Sequence, residues 1–151
     1  MKKRIKGIKE KISKLWKDKT SELKLKISLY THNYDRAQET WMNMDDERQI
    51  YCAKYLPQIL MTYKNNPYAV ANIWRGTDKE VQKNKISEVI ELVKDSPYLV
   101  ESVWRTTDKE GQKVALENNP KLLEEIIEKT KDNPIQVAYI WEVTDKEVQK
   151  N

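Results

Sequence analysis

Three stretches of the chain align without a gap: NPYAVANIWRGTDKEVQKN (66–84), SPYLVESVWRTTDKEGQKV (96–114) and NPIQVAYIWEVTDKEVQKN (133–151). A more divergent copy, NYDRAQETWMNMDDERQIY (33–51), precedes them. A tryptophan marks each copy, at Trp41, Trp74, Trp104 and Trp141, with spacings of 33, 30 and 37 residues. Three occurrences of W-x-x-T-D-K-E are beyond chance, so the chain reads as a tandem array. Periods in this range are those of stacked helix pairs.

Each copy is written in helix grammar. Asn66, Ser96 and Asn133 are N-cap residues. Pro67, Pro97 and Pro134 follow at the first helical position, where a missing N–H costs nothing. Val70, Ile73 and Trp74 then fall at i, i+3 and i+4 and share one helix face, as do Val100, Val103, Trp104 and Val137, Ile140, Trp141. The four marker tryptophans are therefore assigned to the core between repeats. A second start signal comes at once. Thr77-Asp78-Lys79-Glu80 has the form of a capping box, which places the Thr hydroxyl on the N3 amide, and Thr107–Glu110 and Thr144–Glu147 repeat it. The second helix turns Val81, Ile86, Val89, Ile90 and Val93 inward. Asn119-Pro120 breaks this helix in the third unit, and Pro57 kinks its counterpart in the first. Units fall near 33–65, 66–95, 96–132 and 133–151, within a repeat domain of 27–151. No single unit can cover both its faces, so neighbours must stack. The expected fold is all-α: a short α-solenoid or superhelical bundle of four helix-pair repeats.

The pattern resembles HEAT-like repeats and leucine-rich-variant repeats. The stretch Ala115-Leu-Glu-Asn-Asn-Pro120-Lys-Leu-Leu123 is similar to the A-x-x-N-P-x-x-L segment of the latter. The resemblance spans residues 33–151 as an architecture and implies a protein-binding surface. The tetratricopeptide and ankyrin signatures are not matched.

Composition agrees with helices. Of 151 residues, 38% are apolar and 34% charged, which supplies a thin core of the kind stacked repeats need. There is no Phe, and three glycines and many Lys, Glu, Ile and Leu favour helix over sheet. Charge is unevenly placed. Residues 1–26 carry eleven Lys/Arg against three Asp/Glu, or +8, while the remainder carries 17 against 21, or −4. Basic character thus belongs to a separate N-terminal segment, 1–26, rather than to a groove along the body.

Within that segment Ile5, Ile8, Ile12, Leu15 and Trp16 form one helical stripe with lysines around it. Three readings compete, the plainest being a frayed tail. The stripe packs on the first repeat as a cap, with its lysines in water. Alternatively the helix binds an anionic surface, membrane or nucleic acid, through Lys2, Lys3, Arg4, Lys6, Lys9 and Lys11 within residues 2–19. Residues 23–33 alternate apolar and polar, but a lone strand has no partner, so they read as helix or linker. Trp16 with Glu22 does not make a fifth repeat.

Chemistry-bearing patterns are scarce. One His, His32, and one Cys, Cys52, stand twenty positions apart and do not make a zinc site. The single Cys suits a reducing compartment and reads as a buried thiol. Gly7, Gly76 and Gly111 stand alone, so there is no phosphate loop. The recurring acids occupy capping positions. No cofactor, metal or catalytic residue is expected, and no apolar run reaches membrane-span length. The expectation is a cytoplasmic, non-enzymatic interaction or scaffold module that binds a protein or peptide along a repeat face. The alternative is anionic-surface binding through the basic helix. The last copy matches the internal ones and stops at Asn151, which would leave an open edge either for further repeats of a longer protein or for self-association.

Overall fold

The computed structural model describes residues 2–144, all of them helical or in short connections, with no strand among them. The helices are α1 (Lys2–Tyr30), α2 (Tyr34–Met42), α3 (Asp46–Tyr51), α4 (Leu56–Thr62), α5 (Pro67–Arg75), α6 (Lys79–Val93), α7 (Pro97–Thr106), α8 (Lys109–Asn118), α9 (Leu122–Thr130) and α10 (Pro134–Val143). In one layer α1 packs on α2, α5 on α7, and α7 on α10. In the other α4 packs on α6, α6 on α8, and α8 on α9. Contacts of α2 with α4, α6 with α7, and α9 with both α7 and α10 join the layers. The fold is all-α, a helical-repeat-like bundle.

The start signals operate as the sequence implies. Asn66, Ser96 and Asn133 cap α5, α7 and α10 by accepting from Ala69, Leu99 and Gln136 N–H, and the prolines sit in the first turn. Asn119-Pro120 separates α8 from α9. In the first unit the second helix breaks earlier than Pro57, at a 3₁₀ turn over Ala53–Tyr55, and Pro57 lies in the first turn of α4.

Two expectations change. The first concerns the capping box. The N-cap of each described second helix is the Asp, which in the second and third units stands one residue after the Thr: Asp45 accepts from Arg48 N–H at 2.9 Å, Asp78 from Glu80 at 3.0 Å and Asp108 from Gly111 at 2.7 Å. A carboxylate at a helix N-terminus gains from the dipole as well as the hydrogen bond, which leaves the Thr free for another task. Its hydroxyl turns back into the core. Thr77 donates to Ile73 C=O at 2.8 Å and accepts from the Trp41 indole N–H at 3.1 Å. Thr107 donates to Val103 C=O at 2.8 Å and accepts from Trp74 at 2.7 Å. Thr144 donates to Ile140 C=O at 2.6 Å and accepts from Trp104 at 2.9 Å. Each tryptophan thus signs onto the threonine of the following unit. Its burial removes a large apolar surface from water, and its one polar atom is satisfied at the far side of the interface.

A glutamine completes the unit. Gln49, Gln82 and Gln112 are buried and donate to the C=O of Trp41, Trp74 and Trp104 at 3.2, 2.5 and 3.1 Å. These carbonyls lie in the last turn of the first helix, where intrahelical donors run out. Gln49 also donates to Gly76 C=O at 3.2 Å and accepts from Asp78 N–H at 2.6 Å, so it ties the first unit to the second.

The second change concerns the tryptophans and α1. Trp41, Trp74 and Trp104 are fully buried, but Trp141, in α10, is 45% exposed. Helix α1 is unbroken from Lys2 to Tyr30, so residues 23–30 are helix and the division at residue 26 falls inside it. It does cover the first unit, but with another face than expected. Leu25 and Leu29 enter the common core, whereas Ile5, Ile8, Ile12, Leu15 and Trp16 are between 48% and 73% exposed. The chain leaves α1 through His32, which has a positive φ of 58°. Its N–H bonds Leu29 C=O and that of Asn33 bonds Ser28 C=O, the pair of bonds that closes a left-handed C-cap and reverses the chain into α2.

Replacing Thr107 by Val keeps its shape but leaves the Trp74 indole N–H buried without an acceptor. Thr107→Val should lower stability by about 1–3 kcal/mol and Thr107→Ser by less, read from urea unfolding.

Candidate functional site

Among the described residues no group of three His, Cys, Asp or Glu is placed to hold a metal. Cys52 is fully buried, and desolvation pushes its thiol up to about 11. His32 sits in the turn after α1, with its Nδ1 2.7 Å from the Tyr34 hydroxyl. The recurring acids Asp45, Asp78 and Asp108 cap helices. What the molecule offers instead are two surfaces.

The first is α1. Lys2, Lys3, Arg4, Lys6, Lys9 and Lys11 are all exposed on its N-terminal half. This half has no close neighbour at Gly7, where an added Cβ would meet nothing within 4 Å. Ties to the repeats begin about two turns later. Lys14 Nζ lies 2.9 Å from Glu47, and Asp18 lies 3.9 Å from Arg48 Nε. The principal latch is Glu22. Its Oε1 accepts from the Tyr55 hydroxyl at 2.9 Å and lies 3.2 Å from Lys26 Nζ and 3.5 Å from Lys54 Nζ. The Tyr55 hydrogen bond first, then those of Lys26 and Tyr51 and the Lys54 charge, outweigh desolvation and lower the carboxyl to about 2. At roughly 100° per residue, the exposed Ile stripe lies about a third of a turn around the helix from Leu25 and Leu29.

The second surface is a row across the repeats. Tyr68, Tyr98 and Ile135 occupy the same position, just after the first-turn proline of α5, α7 and α10, and all three point outward, at 75%, 44% and 66% exposure. Between α7 and α10 the row opens into a groove of about 340 Å³ that also takes in Glu101, Arg105, Gln136 and Tyr139. Glu101 is buried where the other aligned units carry Ala71, Ala138 and Gln38. Burial raises its carboxyl, against the pull of Arg105, whose Nε is 3.1 Å away. Gln136 Oε1 is buried as well, and no described residue donates to it.

Sequence reasoning placed the basic residues on one helix and found the stripe, but missed the row and the glutamines. Both were visible in the alignment: the residue after the proline is Tyr, Tyr and Ile, and a Gln stands eight positions after every marker Trp. The expected open edge at the last copy rests on residues 145–151, outside those described. No helix among the described residues is long and apolar enough to cross a membrane. No known protein family matches the chain, and no curated protein or solved structure matches it either.

Two outcomes follow from the titrating groups. The Glu22 carboxyl is depressed when folded, so its contribution is full above its ordinary range near 4.5 and fades as pH falls towards about 2. Glu22→Gln should therefore cost about 1–2 kcal/mol at neutral pH and the gap to the unmodified chain should close across that acid window, followed by thermal melts. Cys52 should resist alkylation by iodoacetamide in the native state and react once urea unfolds the chain.

Proposed function

We propose that the chain is a non-enzymatic interaction module whose helical array displays the Tyr68–Tyr98–Ile135 row to a partner protein segment. The carrying observation is that three large side chains at one repeat position are exposed in register rather than scattered singly. Neighbouring helices stand about 10 Å apart. An extended segment rising about 3.1–3.4 Å per residue presents every third side chain at that interval. The aromatic rings supply contact area at low entropy cost. The buried Glu101 and Gln136 supply acceptors that fix a donor of the segment within the groove. The HEAT-like and leucine-rich-variant-like pattern of 33–151 supports the same reading, since such arrays use a face of this kind. The lone buried Cys52 suits a reducing cytoplasm.

The test is affinity capture from nuclease-treated native lysate, with the full chain compared against a Tyr68→Ser, Tyr98→Ser, Ile135→Ser variant. Substitutions at such exposed sites leave stability within about 0.5 kcal/mol, so the melts should coincide. A protein partner should be retained by the unmodified chain and lost at least about tenfold by the variant. Equal retention by both, or no protein on either, overturns the proposal.

A further inference from the structure

We propose that residues 2–17 of α1 lie flat on an anionic lipid bilayer and hold the repeat array beside the membrane. This function is separate from the protein-docking row and does not depend on it.

The argument starts from what α1 leaves uncovered. Its apolar stripe of Ile5, Ile8, Ile12, Leu15 and Trp16 is exposed, although Leu25 and Leu29 of the same helix are buried. The stripe continues along the docked half through Leu23, Ile27 and Tyr30, which are also half or more exposed. By helical position, Lys2, Lys6 and Lys9 border it on one side and Arg4 and Lys11 on the other. An apolar face between two cationic margins is the arrangement of a helix lying in a lipid–water interface. There the apolar residues sink below the headgroups while the lysine stems reach up to anionic phosphates. Trp16 sits midway along the stripe and suits the same boundary.

Other occupants fit less well. Nucleic acid would use the cations and leave five large apolar side chains in water. A second copy of this helix would bring together two segments of +8 each, with like charges along both margins of the seam. An anionic bilayer satisfies the stripe and the charge together. No described helix is long and apolar enough to span it, so the contact is with its surface. The face that docks on the repeats lies about a third of a turn from the stripe, so the array and the bilayer do not compete for the same face of the helix.

The test is co-sedimentation of the full chain with vesicles of phosphatidylcholine and phosphatidylserine in equal parts, with pure phosphatidylcholine vesicles as control. Binding is expected only to the mixed vesicles and should weaken as salt rises. The Ile8→Gln, Ile12→Gln variant changes two exposed residues and should melt as the unmodified chain does. It should lose about tenfold or more in affinity for the mixed vesicles. Equal binding by the variant removes the stripe from the account and overturns the proposal. Binding to duplex DNA without binding to vesicles overturns it too. So does an Ile8- and Ile12-dependent dimer that ignores vesicles.

Discussion

A buried indole must do something with its N–H, and in this chain three buried indoles pass that obligation to the next unit. Trp41, Trp74 and Trp104 fill the space between units, where replacement of such a ring by Ala costs about 3–5 kcal/mol. Their hydrogen bonds reach threonines 36, 33 and 40 residues away, beyond any single helix pair. The Thr hydroxyl accepts from the indole and donates to its own helix, so it is satisfied on both sides without water. The Gln eight residues after each Trp closes the carbonyl end of the same turn. Packing and polar satisfaction are thus fulfilled by the same three kinds of side chain at each of the three described junctions between units. Surface pairs such as Lys79–Asp108 and Lys83–Glu110 also cross between units but are exposed and add little.

Helix starts and the break at Asn119-Pro120 were legible because their causes are local. An Asn-Pro or Ser-Pro pair acts within one turn, and the N-caps at Asn66, Ser96 and Asn133 fall where the letters put them. The Thr-Asp pair misled by one residue for an instructive reason. Both residues can cap, and only the arrival of a distant indole decides that Thr faces inward and Asp takes the cap. The role of Gln49, Gln82 and Gln112 is likewise tertiary, with a repeat register as its only trace in the sequence.

Helix α1 shows the other limit. Its amphipathic pattern was plain, but amphipathicity states that a face will be covered without stating by what. The bundle takes Leu25, Leu29 and the Glu22 latch, all in the C-terminal half, and leaves the isoleucine stripe outside. The exposed row of Tyr68, Tyr98 and Ile135 escaped notice for a similar reason. Next to a capping proline, a Tyr reads as part of the start signal, and its outward direction is set by the packing of α5, α7 and α10.

The threonine position has one exception, and it gives the array a direction of growth. The first unit carries Met44 where the others carry Thr, and a thioether is a feeble acceptor. A unit laid ahead of it would bury an indole whose proton had nowhere to go. Duplicating an internal unit, by contrast, would reproduce a donor and an acceptor in register. Such a chain lengthens more readily by copying its middle than by adding a unit ahead of its first, where α1, which brings no indole into the core, packs on α2.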